Sequence, residues 1–553
     1  MSSRIYLLVT LLALAVVFYR FNRHGQNLPE GCDEFGFLQM SEAISSGKLF
    51  EEHTSRRFMP ALVEHLEKAG FRHEDYAWAV APHAYHVEEH SRKIINQYPP
   101  GTSFILSVFP KGMRQSMFSV LAFLLMTIPP YLAIRYAVDE EEQRSMAYSL
   151  LFLFFTYALI SSPMLTEFGR VNSVAPTFGL LLTAGIVMRK RPELAIFLVS
   201  LSMIFRIANI LIIPPMMIYA VFRRPEDGTM SISMILKRGI NAFLAFLLSG
   251  FGLYLLYTYI LLGNPFLPTY SEIDQRSIGI DILMENVRYY FVDEASWFWP
   301  NLVAVILLIF IKVKRGIPGL LLFTLLSMPL ICYLYFLFHF IRTPYYPYAP
   351  VLLMTGLAIR AALSFSRPST NRWRLVMILP VLVLCIMGIR ESITYYSTVH
   401  NSLEEESQVY RNELAGEDVI WAELKSSTVE YAAGVPGMRL QWAKANVIRE
   451  IMIWLRSKGY HQAILVSDLE IPEKKLSKFL SESGIQFNRE VSEDLGIIYR
   501  IPTPYSTTAG LSLSSFLKLG GSPKKSSTKR LYSSRVAAES RSTISFEASW
   551  LSM

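Results

Sequence analysis

The chain has 553 residues, 52% of them hydrophobic and only 18% charged, with a mean hydropathy of +0.31, which excludes an ordinary soluble domain and indicates a polytopic membrane protein. The net charge of +8 does not imply nucleic acid, because Lys and Arg fall in short groups between apolar runs, where they carry topology. Cys32, Cys332 and Cys385 lie far apart, so neither a disulfide framework nor a thiolate metal site follows.

Arg4 precedes an apolar run from Ile5 to Tyr19 that lacks a small-residue cleavage site, so an uncleaved signal anchor is expected. A first external loop, 21–100, opens on Gly31-Cys32-Asp33-Glu34 and closes on Tyr98-Pro99-Pro100-Gly101. Within it Phe37, Met40 and Ile44, then Leu62, Leu66 and Ala69, are spaced as amphipathic helices lying in the membrane interface. Further apolar segments fall near 115–137, 146–163, 174–188, 193–205, 207–222, 239–261, 299–311, 317–338, 345–365 and 374–389, making about eleven spans with the anchor.

Five basic groups orient these spans: Arg189-Lys190-Arg191, Arg223-Arg224, Lys237-Arg238, Lys312 with Lys314-Arg315, and Arg367 with Arg372 and Arg374. All are cytoplasmic by the positive-inside bias if 193–222 is a pair of short helices bent near Arg206. The N-terminus is then cytoplasmic, and the Asp33 loop and everything after about residue 391 are extracytoplasmic; Arg20, Arg23 and the acidic turn Asp139-Glu140-Glu141-Glu142 run against this count. The expected fold is therefore mainly α, a transmembrane bundle over 1–391, followed at 392–502 by a small α/β domain. In that domain Val419-Ile420-Trp421, Ala463 to Val466 and Gly496 to Ile501 read as strands, and Ala443 to Ser457 and Pro472 to Ser483 as helices. Residues 503–553 are rich in Ser, Thr, Lys and Arg without periodicity and are expected to be a disordered tail.

Several residues can carry chemistry. Asp33 and Glu34 at a membrane boundary are able to take a proton from an acceptor hydroxyl, the alternative being two solvated acids. Tyr98-Pro99-Pro100-Gly101 makes a rigid entry into the next helix, with or without a functional role. Arg206, His339 and Arg342 are ionisable groups at apolar depth, and guanidinium groups there suit the phosphate of a lipid-linked donor; snorkelling to the interface is the other reading. Glu167 and Arg170 either face the same cavity or pair with each other. His83, His86 and His90 would share one helix face beside Glu88 and Glu89, a set that could hold zinc or another divalent metal; the sequence around Pro82 is not convincingly helical, so solvated histidines and no certain cofactor are expected. No Walker loop, dinucleotide fingerprint or nucleophile elbow is present, which favours a donor arriving within the membrane.

These residues carry a family resemblance over roughly 1–502. The anchor, Gly31-Cys32-Asp33-Glu34-Phe35, Gly47-Lys48-Leu49-Phe50 and Tyr98-Pro99-Pro100-Gly101 resemble bacterial GT-C glycosyltransferases of the protein O-mannosyltransferase and aminoarabinose transferase branch. Further matches are Arg206 with Asn209 and Pro214-Pro215, Gly263-Asn264-Pro265-Phe266 with Thr269-Tyr270, Arg342 with Tyr345, Tyr346 and Pro350, Ser427 to Gly434, and Lys458-Gly459-Tyr460. The resemblance implies inverting transfer from a sugar on a polyprenyl phosphate, with Asp33 as base, Arg206 and Arg342 at the phosphate, and Tyr98, Glu167, His339 and Tyr345 about the cavity. It implies a bacterial plasma-membrane location and a lipid, polysaccharide or protein acceptor. Two departures stand out: Tyr98 occupies the place where aminoarabinose transferases tend to carry Lys, which weakens that sugar as the substrate, and the histidine-rich stretch 51–90 has no aligned counterpart. A lipid-linked-glycan flippase, or a catalytically silent scaffold binding lipid-linked sugars, are the alternatives; the absence of a second bent hairpin in a matching half counts against a carrier.

Overall fold

The computed structural model describes residues 32–47, 58–89, 92–139, 144, 147–148, 150–151, 171–224, 230–267, 269, 280–293, 319–339, 348–363, 407–414, 416–423, 425–440, 443–469, 471–492 and 495–503. The described residues within Gly36–Glu51 and Gln97–Leu403 form one compact unit, and those within Leu28–Phe35, Glu52–Asn96 and Glu404–Met553 form another.

The first unit is helical. Lys111–Ala137, Ile232–Leu262 and Gly319–Leu337, of 27, 31 and 19 residues, are each long and apolar enough to cross a membrane. Shorter apolar helices run over Ala175–Val187, Pro192–Ser202 and Ile207–Phe222. The expected bend is present: the helix Pro192–Ser202 ends, Arg206 is extended (φ −147°, ψ 102°), and a 3-10 turn Ile207–Ile212 leads into the helix Ile213–Phe222. Pro214 and Pro215 sit in the first turn of that helix, where their missing N–H groups cost no ladder bond. The span Ile232–Leu262 is itself interrupted at Leu247–Phe251, where Ser249 leaves helical geometry. The Ser200 hydroxyl fills the broken ladder, donating to the Phe246 carbonyl at 2.8 Å and accepting from the Phe251 N–H at 3.0 Å.

Apolar lipid tails give helices no hydrophobic reason to associate, so close backbone packing does it instead. Gly185 and Gly356 show this: a Cβ on Gly185 would run into the Leu353 carbonyl, and one on Gly356 into the Leu182 carbonyl. The helices Ala175–Val187 and Tyr348–Leu363 thus approach through reciprocal glycines. The expected spans at 5–19, 299–311 and 374–389 lie outside the described residues, as does most of 146–163.

The second unit holds two sheets. Strands β1 (Tyr85–Val87) and β2 (Ile94–Asn96) make an antiparallel pair. Strands β3 (Val419–Ala422), β4 (Gly437–Arg439), β5 (Gln462–Leu465), β6 (Asn488–Ser492) and β7 (Gly496–Ile501) form one sheet in the order β4-β3-β5-β7-β6. β3 runs parallel to β4 and β5, and β7 antiparallel to β5 and β6. Parallel neighbours need crossovers, supplied by the helices Ser426–Ala433 and Ala445–Ser457. Ile420, Ala422, Ala463, Leu465 and Ile498 form one face of its core with Val429 and Ala432.

The loop before β4 in the sequence, by some 350 residues, is built into this unit. Arg439, fully buried in β4, donates from Nε to the carbonyls of Trp78 (3.0 Å) and Ala81 (3.3 Å) and from Nη2 to that of Tyr85 (2.9 Å), with its guanidinium 5.1 Å from the Trp78 ring centroid. The Arg439 N–H donates to the Ala79 carbonyl at 2.9 Å. His65 pairs with Glu450 at 2.7 Å and Lys444 with Asp75 at 2.8 Å.

Two expectations are corrected by these contacts. The helix Met59–Lys68 does not lie with its apolar stripe in lipid: Met59, Leu62, Val63 and Leu66 are buried by protein, against the helix Ala445–Ser457. Likewise Phe37 and Met40, on the helix Cys32–Ser45, are covered by protein, Phe37 against Tyr98 and Met40 among Tyr254 and Tyr257. The histidine segment is not helical, as expected, but the expectation of solvated histidines fails for His86, which is buried in a strand. His83 lies in a turn closed by Ala84 at φ 96°, His86 is in β1, and His90 is outside the described residues. Among the described residues no cluster of three or more His, Cys, Asp or Glu is arranged to hold a metal.

Candidate functional site

In the membrane unit, polar side chains gather at the bend. The Arg206 N–H donates to the Ser202 carbonyl at 3.0 Å, and the Asn209 N–H to the Arg206 carbonyl at 3.1 Å. Asn209 Nδ2 donates to Ser202 Oγ at 2.8 Å. The half-buried Arg206 guanidinium lies 5.7 Å from the ring centroid of Tyr348, whose hydroxyl shares a hydrogen bond with Thr177 Oγ1. A cation in an apolar bundle is thus held on an aromatic face that is itself anchored by hydroxyls.

The Tyr98-Pro99-Pro100-Gly101 turn meets this bend. Gly101 opens the helix Gly101–Ser107 and donates its N–H to the Ile204 carbonyl at 2.8 Å. A Cβ at Gly101 would stand 2.7 Å from that oxygen, so the close approach requires glycine. Thr102 Oγ1 donates to the Asn172 carbonyl at 3.1 Å, and Asn172 Oδ1 accepts from the N–H groups of Val174 and Ala175, both at 3.0 Å, capping the helix Ala175–Val187.

Tyr98 is buried. Its hydroxyl accepts from Gln97 Nε2 at 2.8 Å, its carbonyl accepts from Tyr257 Oη at 3.5 Å, and its ring centroid is 5.1 Å from that of Phe37. Thr269 Oγ1 donates to the Gln97 carbonyl at 2.7 Å, placing Thr269 against the same turn.

Asp33 and Glu34 occupy the first turn of the helix Cys32–Ser45, where acidic residues complement the helix N-terminus. Asp33 is half-buried and Glu34 buried. Asp33 and Phe37 are one turn apart on that helix. Phe35, next in the chain, packs edge-on against Tyr85 and Tyr431, with centroids 5.9 and 6.4 Å apart. His339 is half-buried at the end of the span Gly319–Leu337; its carbonyl accepts from Asn286 Nδ2 at 2.7 Å and its ring is 5.6 Å from that of Tyr335. Glu167, Arg170, Arg342 and Tyr345 lie outside the described residues.

The surroundings of Arg206 were partly invisible in the sequence. Tyr348 belongs to the same Tyr-Tyr-Pro-Tyr run as Tyr345, but Thr177 and Ser202 are single hydroxyls in apolar helices and give no signal. His86, fully buried and stacked on Trp78 with centroids 4.5 Å apart, is driven by burial, with the Arg439 charge adding, down to a pKa of about 3.

The described residues thus comprise a helical unit with a proline-rich hairpin bend and helices long and apolar enough to cross a membrane, and an α/β unit. Among solved structures, ArnT from Cupriavidus metallidurans bound to undecaprenyl phosphate matches with a TM-score of 0.51 at 12% identity, over 90% of this chain and 98% of that one. ArnT from the same organism in the apo state matches at 0.50 and 12%, over 90% and 97%. The chain therefore has the fold of ArnT. No protein-family model and no curated protein matches the sequence.

Proposed function

We propose that the chain is an integral-membrane glycosyltransferase that moves a sugar from a polyprenyl-phosphate donor to a hydroxyl acceptor on the extracytoplasmic face of the bacterial plasma membrane. The observation that carries this reading is the ArnT fold over nine-tenths of the chain, shared with a protein crystallised with undecaprenyl phosphate. The placement of Arg206 on Tyr348 beside the Tyr98 turn supports it, because a preorganised guanidinium is what a phosphate leaving group needs.

In the proposed reaction Asp33 takes the proton of the acceptor hydroxyl as its oxygen attacks the anomeric carbon. The bond from that carbon to the phosphate oxygen breaks, and the configuration inverts. Polyprenyl phosphate leaves with the electron pair, its added charge met by Arg206 and Arg342. No protonated acid is required, unlike the hydrolysis of a glycoside with a poor leaving oxygen. Glu34 is assigned with Asp33 to the catalytic pair, and Glu167, Tyr98, His339 and Tyr345 to the cavity wall. Tyr98, where the aminoarabinose branch carries Lys, points to a sugar other than aminoarabinose.

The test is transfer by the purified full-length protein in nanodiscs from a panel of polyprenyl-phosphate sugars, with wild type beside Arg206→Ala. Transfer from one donor, weakened in Arg206→Ala, supports the proposal. Saturable donor binding with no turnover from any donor would favour the flippase or scaffold reading.

A further inference from the structure

Arg114 is a buried cation with an unused donor. It is 5% exposed, and a guanidinium keeps its charge at any depth. Its Nε donates to the Phe109 carbonyl at 3.2 Å and its Nη2 to Ser45 Oγ at 2.6 Å. Nη1 is buried with no hydrogen-bond partner among the described residues. Both oxygens it does engage are neutral. The carboxylate close by in the chain contacts, Glu42, is held by Lys111 at 2.8 Å.

The location narrows what would complete it. Arg114 opens the helix Arg114–Ala137 and lies in the first turns of the apolar run Lys111–Ala137, which puts it at headgroup depth when that run crosses a bilayer. On the orientation expected from the basic loops this end is external, where the positive-inside bias supplies no reason for a basic residue. A guanidinium that is buried, partly unsatisfied and at the mouth of a span calls for an anionic partner from the membrane.

We propose that the Arg114 guanidinium binds the phosphate of a lipid headgroup. The phosphate would accept from Nη1 and leave the Ser45 and Phe109 bonds in place. Two lipids carry this chemistry, a bulk anionic phospholipid and a polyprenyl phosphate. The proposal holds whichever reaction the protein performs.

The experiment measures binding of phosphatidylglycerol and of undecaprenyl phosphate to the full-length protein in detergent by native mass spectrometry. Arg114→Gln is expected to weaken one of them about tenfold, the size of one charge-assisted hydrogen bond, and Arg114→Lys by less. The lipid that responds identifies the source. Unchanged binding of both in Arg114→Gln overturns the site and leaves water as the partner of Nη1. Because Arg114→Gln also removes a buried contact, the wild-type protein is labelled in parallel with diazirine-bearing versions of the two lipids. An adduct within residues 109–114 is expected; adducts only elsewhere overturn the proposal.

Discussion

Arg206 stands over the ring of Tyr348, 5.7 Å from its centroid, and the Tyr348 hydroxyl is bonded to Thr177 on another helix. The arrangement separates two contributions of one residue. The ring faces the guanidinium and the hydroxyl secures the ring.

Tyr348→Phe is therefore expected to keep the cation–π contact while leaving Thr177 Oγ1 without that partner. Stability should fall by about 1 kcal/mol, with donor affinity changed little. Tyr348→Leu removes the aromatic face as well, and the donor Kd should rise severalfold beyond the phenylalanine variant. Thermal unfolding and donor titration of the two variants check this. Equal donor affinities in both would mean the ring does not position Arg206.

The reciprocal glycines make a stability prediction. Gly185→Val and Gly356→Val should each force apart the helices Ala175–Val187 and Tyr348–Leu363, because the obstacle is backbone carbonyl rather than a flexible side chain. Yield of monodisperse protein and unfolding temperature should both drop sharply. A normal profile for either variant would contradict the packing.

Arg439 is the fastening between the 78–85 loop and β4. Arg439→Met removes the three guanidinium bonds to the Trp78, Ala81 and Tyr85 carbonyls at a buried site, so a loss of about 3 kcal/mol is expected. Limited proteolysis should then cut within 58–89 well before wild type. Unaltered protection would show that the loop is held by other contacts.

His86 gives this unit a pH dependence. Burial drops its folded-state pKa to about 3, so between that value and its unfolded value, about 6.5, the unfolded chain binds more protons. Its stabilising contribution is complete above pH 6.5 and is lost as pH falls toward 3, at about 1.4 kcal/mol per pH unit. His73, also lowered by burial, acts in the same direction. His86→Phe keeps the stack on Trp78 and should flatten the slope between pH 6.5 and 5, above the range where carboxylates protonate. Denaturation midpoints against pH read this out, and identical slopes would refute it.

Local pattern revealed much of the architecture. The bend at Arg206 was legible because Arg189-Lys190-Arg191 and Arg223-Arg224, both assigned to one side, require an even number of helices between them. The strands Val419–Ala422, Gln462–Leu465 and Gly496–Ile501 stand within a residue or so of where β-branched and aromatic runs put them. Partnerships across long stretches of chain were not legible. The apolar stripe of Leu62 and Leu66 looks the same whether lipid or another helix covers it, and nothing in the sequence near Trp78 announces Arg439. The spacing of His83, His86 and His90 carried meaning only if the segment were helical, and the turn at Ala84 followed by β1 removes that condition. Around the candidate site, the rare charged residue in an apolar run was visible, while the hydroxyls that position it were not.

The most direct test of the proposed function is the transfer rate of Asp33→Asn at saturating donor and acceptor. Asparagine keeps the shape of the side chain and cannot take the proton. Loss of a general base costs about 100-fold to 10,000-fold in rate, with donor binding unchanged. A rate within a fewfold of wild type, in protein that folds and binds donor normally, would contradict Asp33 as the base and with it the proposed reaction.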